Sequence, residues 1–377
     1  MRIGIDCRLW AQTGVGRYIR NLVQNLLILD KKNTYILFVR KQDYGIINEQ
    51  LSIIKHQNKF KIENLKLKIV DIKWHSLQEQ LKFPSILEKE NLDLVHFPYF
   101  SVPIFYNKPY VVTIHDLIMD HYPTGNASTL ALPLYYSKFL AYKFILKTAA
   151  KNAKKIIVPS VATKMEVIDH LKINKEKIVV TYEAADLAIS HQPSAISHQN
   201  LGKYFLYVGN AYPHKNLERL IKAFNDFSKE NKDTKLILVG NKDYFYQKLE
   251  AKFKSDKIIY FGKASDEDLA SLYNNAIAFV LPSLMEGFGL PVLEAMANKC
   301  PVVCSDIPSL KEIAGDSAIY FNPQDVDDIT RNLKFIVQNS KFRGETKENG
   351  YKKSQEFSWE KMAKETLKTY ESSISLR

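Results

Sequence analysis

Two hydrophobic periods alternate along the first half of the chain. Short apolar runs bounded by polar or turn residues occur at 2–8, 35–39, 67–70, 92–97, 110–114, 155–159 and 178–181. Between them lie stretches whose apolar residues recur at helical spacing, notably 18–29, 130–155 and 160–170, the last opened by the capping residue Ser160. Runs apolar on both faces mark strands covered on both sides, and their alternation with helices predicts a doubly wound parallel α/β sheet. The pattern stops at 188–199, where Ala-Ile-Ser-His-Gln occurs twice, seven residues apart, in a polar stretch without periodicity. It then resumes with runs at 203–209, 236–240, 257–261, 277–281, 301–305 and 318–321, and with helical spacing at 217–227, 326–337 and 359–370.

This pattern predicts two Rossmann-like domains. The first spans 1–186 and is completed by a C-terminal helix over about 359–377; a linker covers 187–200; the second domain spans 201–358. A length of 377 residues agrees with two cores, and 46% apolar with 25% charged residues is ordinary for a globular protein. No apolar run approaches the roughly 20 residues of a membrane helix. The chain opens directly into a predicted strand, so no signal peptide is expected. Cys7, Cys300 and Cys304 in no metal-like spacing point to a reducing, cytoplasmic setting. Charge changes the picture more. Residues 1–186 carry 27 Lys and Arg against 17 Asp and Glu, whereas 187–377 carry 26 against 24. A basic first half suits an anionic partner such as the inner face of a membrane. The 130–155 helix interleaves aromatic residues with lysines, and is read either as packed on a core with a solvated basic face or as lying on an anionic bilayer.

The densest chemistry lies in Ser283-Leu284-Met285-Glu286-Gly287-Phe288-Gly289-Leu290-Pro291-Val292-Leu293-Glu294. An apolar strand precedes it, and Pro291 opens a helix in which Glu294 stands. Two carboxylates eight residues apart, with Gly287 and Gly289 between them, can flank one ligand. The glycines admit close backbone approach, and the helix N-terminus favours an anion. Gly14-Val15-Gly16 also lies between a predicted strand and a helix, the geometry of a phosphate-facing loop, but the third glycine of a dinucleotide fingerprint is absent. By itself this segment reads sooner as a tight turn only. His96 and His115-Asp116 end strands in the first half, and Lys215 stands just before a helix in the second.

Glu-x7-Glu with an internal Gly-Phe-Gly resembles the signature of retaining glycosyltransferases of the GT-B fold, family 4, and most closely bacterial mannosyltransferase-like enzymes of surface polysaccharide synthesis. The resemblance implies two Rossmann-like domains facing across a cleft, and a role for each matching residue. Glu286 lies beside the donor sugar, Glu294 binds the nucleotide ribose, and the turn of Gly287, Phe288, Gly289 and Leu290 offers amides to sugar and phosphate. Gly14 and Gly16 cover the donor diphosphate, with Gly16 nearest. His115 contacts sugar hydroxyls, while Asp116 orders its loop. Lys215 meets the leaving nucleoside diphosphate, whose charge grows as the glycosidic bond breaks. Gly262 and Lys263 end the strand where the base stacks. The family's second phosphate-binding Arg is missing; Asn210 and His214 stand where it is expected, and Arg17 is a substitute.

The activity implied is transfer of a hexose from a nucleotide-diphosphate sugar to a glycan or glycolipid acceptor with retention, with Glu286, His115 and Lys215 as the catalytic residues. The resemblance tilts the donor toward GDP-mannose, with UDP- and dTDP-sugars as competitors. No metal is expected, because no Asp-x-Asp ends a strand; Asp325-Val326-Asp327 opens a helix. Two other readings are an epimerase or hydrolase acting on nucleotide sugars and a nucleic-acid-binding protein. The second lacks any basic–aromatic recognition motif.

Overall fold

The computed structural model describes residues 1–58, 64–123, 132–185 and 201–374. The 188–199 duplication and the 187–200 linker lie outside them. Contacts divide the described residues into two compact units, one from 1–58, 64–123, 132–183 and 358–374, the other from 184–185 and 201–357.

The first unit holds seven strands: β1 (Arg2–Asp6), β2 (Thr34–Val39), β3 (Leu65–Ile69), β4 (Leu94–Phe97), β5 (Tyr110–Thr113), β6 (Lys155–Val158) and β7 (Ile178–Val180). They pair in parallel in the order β3-β2-β1-β4-β5-β6-β7. The central strands are buried on both faces, as their uninterrupted apolar runs require; Ile3, Ile5, Ile36, Leu37, Val95 and Val111 are fully enclosed. Edge strand β3 carries Lys66 and Lys68, both paired with Glu90, and charge on an exposed edge blocks pairing with another chain.

The second unit holds β8 (Lys203–Val208), β9 (Thr234–Val239), β10 (Ile258–Gly262), β11 (Ala278–Leu281), β12 (Val302–Ser305) and β13 (Ala318–Phe321), parallel in the order β10-β9-β8-β11-β12-β13. The Leu217–Ser228 helix buries Leu217, Leu220, Ile221, Phe224 and Phe227 on one face and packs against the Val326–Gln338 helix.

Each order has one switch point, where the chain leaves neighbouring strands in opposite directions. It falls between β1 and β4 in the first sheet and between β8 and β11 in the second. Ligands of open parallel sheets bind beyond the carboxyl ends of the strands at such points.

One expectation is corrected here. Gly14-Val15-Gly16-Arg17 is not a loop but the first turn of a helix running Gly14–Leu29, with Arg17 N–H bonded to the Thr13 carbonyl at 2.9 Å. Glycine suggested a turn, but packing decides the local shape. A Cβ on Gly16 would come within 2.5 Å of the Trp10 carbonyl oxygen and 2.9 Å of that of Leu9. The glycine lets the helix lie against the backbone of the turn that follows β1, whereas Gly14 has open space around it.

The Leu132–Asn152 helix packs one face into the core and leaves another exposed. Tyr142, Leu146, Ala149 and Ala150 are buried, while Tyr136, Leu140 and Phe144, spaced by four, are exposed beside exposed Lys143 and Lys147.

Candidate active site

In the second unit, Lys215 and Glu286 come from the two loops that flank the switch point. Lys215 ends a short 3₁₀ turn, Pro213–Lys215, beyond β8, and Glu286 follows β11. Although 71 residues apart, they form an ion pair, Lys215 Nζ to Glu286 Oε1, of 2.6 Å. Ser283 donates its hydroxyl to the same oxygen at 2.6 Å, so both bonds converge on Oε1. The pair is nearly enclosed, with 14% of the lysine side chain and 9% of the glutamate side chain exposed. Burial alone would raise the Glu286 carboxyl, but the Lys215 charge and the Lys215 and Ser283 hydrogen bonds outweigh it and hold the group below the usual carboxylate range. His214 lies beside them. Burial, then the adjacent Lys215 cation, push its imidazole down to about 4, so at neutral pH it is uncharged. Its backbone carbonyl accepts from Leu284 N–H at 2.8 Å, tying the two loops together.

The glycine turn serves the helix after it. Gly289 has φ +101 and caps Leu290–Ala297, and a Cβ there would meet Leu310 Cδ2 at 2.5 Å. Glycine alone fits both the conformation and the space. Phe288 is buried edge-on to Phe357, and Leu290 is half-buried. Glu294 is 8% exposed and accepts from the Tyr273 hydroxyl at 3.2 Å. The two carboxylates of the motif therefore have separate partners, Lys215 for one and Tyr273 for the other. Asn210 caps its own turn, its Oδ1 accepting from Tyr212 N–H. Gly262 and Lys263 lie further along the sheet, at the end of β10; Gly262 has φ +86 at a bulge, and Lys263 is exposed.

The first unit brings its own predicted residues together. His115 follows β5, and its ring meets that of Tyr18, on the Gly14–Leu29 helix, edge-on at 4.9 Å. Arg17, on the same helix, is half-buried. Both nitrogens of His115 are engaged: Nδ1 with Glu183 Oε1 at 3.0 Å and Nε2 with the Pro98 carbonyl at 2.9 Å. The Pro98 carbonyl can only accept, so Nε2 carries a proton, and the Glu183 carboxyl beside Nδ1 favours a proton there too. Burial alone would lower its pKa; Glu183, by hydrogen bond and charge, reverses that and raises it. A sugar hydroxyl would reach a ring nitrogen only by exchanging with one of these partners. Asp116 accepts from Ile118 N–H at 2.9 Å, the loop-ordering role expected of it. His96 does not face a ligand at all. It is wholly buried, bonded to the Tyr370 hydroxyl at 2.7 Å and to Thr113 Oγ1 at 2.8 Å, with its pKa lowered to about 3 by burial and by His115.

Two residues of the site went unassigned in the sequence. Ser283 stands at the head of the motif without a role, and Asn216 looks like an ordinary helix-start residue. The signals were their positions, three before Glu286 and one after Lys215.

Comparison with known proteins bears on the whole chain. Residues 13–189 match the family model "Glycosyltransferase Family 4", and residues 189–353 match "Glycosyl transferases group 1". The O-antigen chain mannosyltransferase B of Escherichia coli is 29% identical over 380 residues, covering 95% of this chain and 96% of its own. The O-antigen chain mannosyltransferase RfbU of Salmonella typhimurium is 29% identical over 268 residues, 70% of each chain. Among solved structures, the sucrose-phosphate synthase of Thermosynechococcus elongatus superposes with a TM-score of 0.78 over 100% of both chains at 20% identity.

Proposed function

Since the chain belongs to the family 4 glycosyltransferases and has their GT-B fold, we propose that it moves a hexose, mannose by preference, from a nucleotide-diphosphate sugar to a glycan or lipid-linked acceptor in cell-surface polysaccharide synthesis, with retention at the anomeric carbon. The observation that carries this reading is the Lys215–Glu286 pair at the switch point of the second sheet. An enclosed cation beside an enclosed carboxylate suits a donor whose diphosphate is anionic and whose sugar is rich in hydroxyls. On donor binding, Lys215 turns to the diphosphate, and Glu286, still held by Ser283, accepts from the sugar. As the glycosidic bond breaks, charge builds on the leaving phosphate, and a fixed cation lowers that barrier without reorganising. The amides at the start of the Leu290–Ala297 helix add positive potential, and Glu294 accepts from the ribose. The donor's own phosphate assists deprotonation of the acceptor hydroxyl on the same face. The proposal expects no metal ion.

The test is a thermal-shift screen against GDP, UDP, dTDP, ADP and CMP, with and without EDTA. A ligand at about 100 times its Kd adds about 2.7 kcal/mol to stability. The expected result is stabilisation by one nucleoside diphosphate, GDP first, unchanged by EDTA. A flat response to all five would remove the donor site, and sugar-nucleotide turnover without acceptor would replace transfer by hydrolysis or epimerisation.

We also propose that the first unit rests on the cytoplasmic face of an anionic membrane. Support comes from the exposed Tyr136, Leu140 and Phe144 flanked by lysines. Among the described residues no helix is long and apolar enough to cross a membrane. The protein should sediment with vesicles containing anionic lipid at low salt, and Leu140→Glu with Phe144→Glu should abolish this. Equal sedimentation with neutral vesicles would refute the electrostatic half of the idea.

A further inference from the structure

Asn216 has φ 59 and ψ 29, the left-handed conformation that among non-glycine residues asparagine tolerates best. It joins the Pro213–Lys215 turn to the Leu217–Ser228 helix. An asparagine at a helix start ordinarily turns its side chain back to accept from its own helix's first free N–H groups. Asn216 makes no such bond. Its Nδ2 instead donates twice across the sheet, to the Pro282 carbonyl at 3.0 Å and the Pro323 carbonyl at 2.7 Å, while Oδ1 accepts from Arg219 at 2.8 Å. The residue is 6% exposed, so both donor hydrogens are committed away from water. Pro282 follows β11 and Pro323 follows β13. A single side chain therefore gathers the loops beyond three strands, β8, β11 and β13.

The two sides of the ion pair meet at this residue. Its backbone continues directly from Lys215. Its amide grips the carbonyl of Pro282, and the next residue, Ser283, donates to Glu286 Oε1. We propose that Asn216 is a positioning residue for the donor site, setting Lys215 and Glu286 at their mutual distance from both sides at once. The inference rests on the reading that these two groups meet the donor. Without the amide, two buried carbonyls lose their donor, and the β8 and β11 loops are left joined by the Leu284–His214 backbone bond and by the pair itself, which donor binding must open. Asn216, together with that backbone bond, holds the loops together while Lys215 changes partner.

The experiment is a double-mutant cycle on the full chain, read by calorimetry with the nucleoside diphosphate that stabilises the wild type. Asn216→Gly keeps the left-handed backbone and removes only the amide. It should weaken that diphosphate by about tenfold or more, and raise donor KM more than it lowers kcat. In a Lys215→Ala background the same change should cost less than about threefold, because contacting residues are non-additive and the cation being positioned is already gone. Asn216→Asp, which keeps the size, the backbone and the Arg219 bond but turns the donors into an acceptor, carries the same test if the glycine variant does not fold. Equal losses in both backgrounds, or wild-type binding by either variant, would overturn the inference and leave the donor site standing. A wild type that bound none of the nucleotides would overturn the donor-site reading and this inference with it.

Discussion

Lys215→Ala should lower kcat/KM for the donor by about 10²–10³, the scale of losing one preorganised charge at a centre where negative charge develops. The same substitution should reverse the pH dependence of stability in the second unit. In the wild type, Lys215 and Ser283 hold the Glu286 carboxyl low against the upward push of burial. A carboxyl depressed on folding contributes stability above its unfolded pKa, about 4.3, and that stability is lost as pH falls through the lower folded value. With the lysine gone, burial keeps pushing the carboxyl up. A raised folded pKa works in the opposite sense, so the variant should lose stability as pH rises above about 4.3. Thermal melts by circular dichroism from pH 4 to 8 make the comparison, and parallel profiles for the two proteins would show that the pair does not govern Glu286. Lys215→Arg keeps the charge but not the point geometry. It should restore the stability profile and recover the rate only in part.

Arg8→Met should destabilise the first unit by about 3–5 kcal/mol, the range for removing one partner of a buried ion cluster. Arg8 is 2% exposed. It reaches both carboxylate oxygens of Asp6, Glu79 Oε1 at 2.6 Å and the Ile72 carbonyl, with its guanidinium 4.1 Å above the Phe83 ring. Glu79 is wholly enclosed and also accepts from Ser101 and from His75 N–H. Methionine fills much of the arginine's space yet strands that carboxylate. The measurement is direct because Trp10, Trp74 and Trp359 all belong to the first unit, so urea unfolding followed by tryptophan fluorescence reports it alone. Adding Glu79→Gln to Arg8→Met should recover part of the loss. A midpoint within error of wild type for Arg8→Met would mean the cluster contributes nothing net.

The thirteen strands among the described residues were legible from the hydrophobic pattern; the central ones, covered on both faces, have few sequence solutions, while the exposed edge strand β3 showed only through its short run at 67–70. That they form parallel sheets followed from the alternation with helices; which strand neighbours which did not. The candidate site was legible as residue types: Glu286, Lys215 and His115 follow strand ends, where parallel sheets put functional groups, and Glu294 stands in the helix after the glycine turn. What could not be read was who holds whom. The Lys215–Glu286 pair depends on β8 and β11 being neighbours, which no local pattern encodes. The His115–Glu183 pair likewise joins residues 68 apart. Gly16 was misread for a physical reason: a glycine that permits a turn and one that permits close packing look the same in sequence. Asn216 and Ser283 escaped because short polar residues near helix starts usually serve only local caps.

The bond between His96 and Tyr370 ties residue 370 into a sheet whose last strand ends at Val180. The ribosome therefore delivers the pieces out of spatial order. At about 5–20 residues per second, the first unit waits roughly 10–40 s for its closing helix, Trp359–Ile374. During that interval the whole of the second unit emerges, and its sheet, made entirely of residues 203–321, can close without waiting for anything later. In biosynthetic time the later-encoded unit is the earlier one to be completed, and His96 stays without its Tyr370 partner until residue 370 is made.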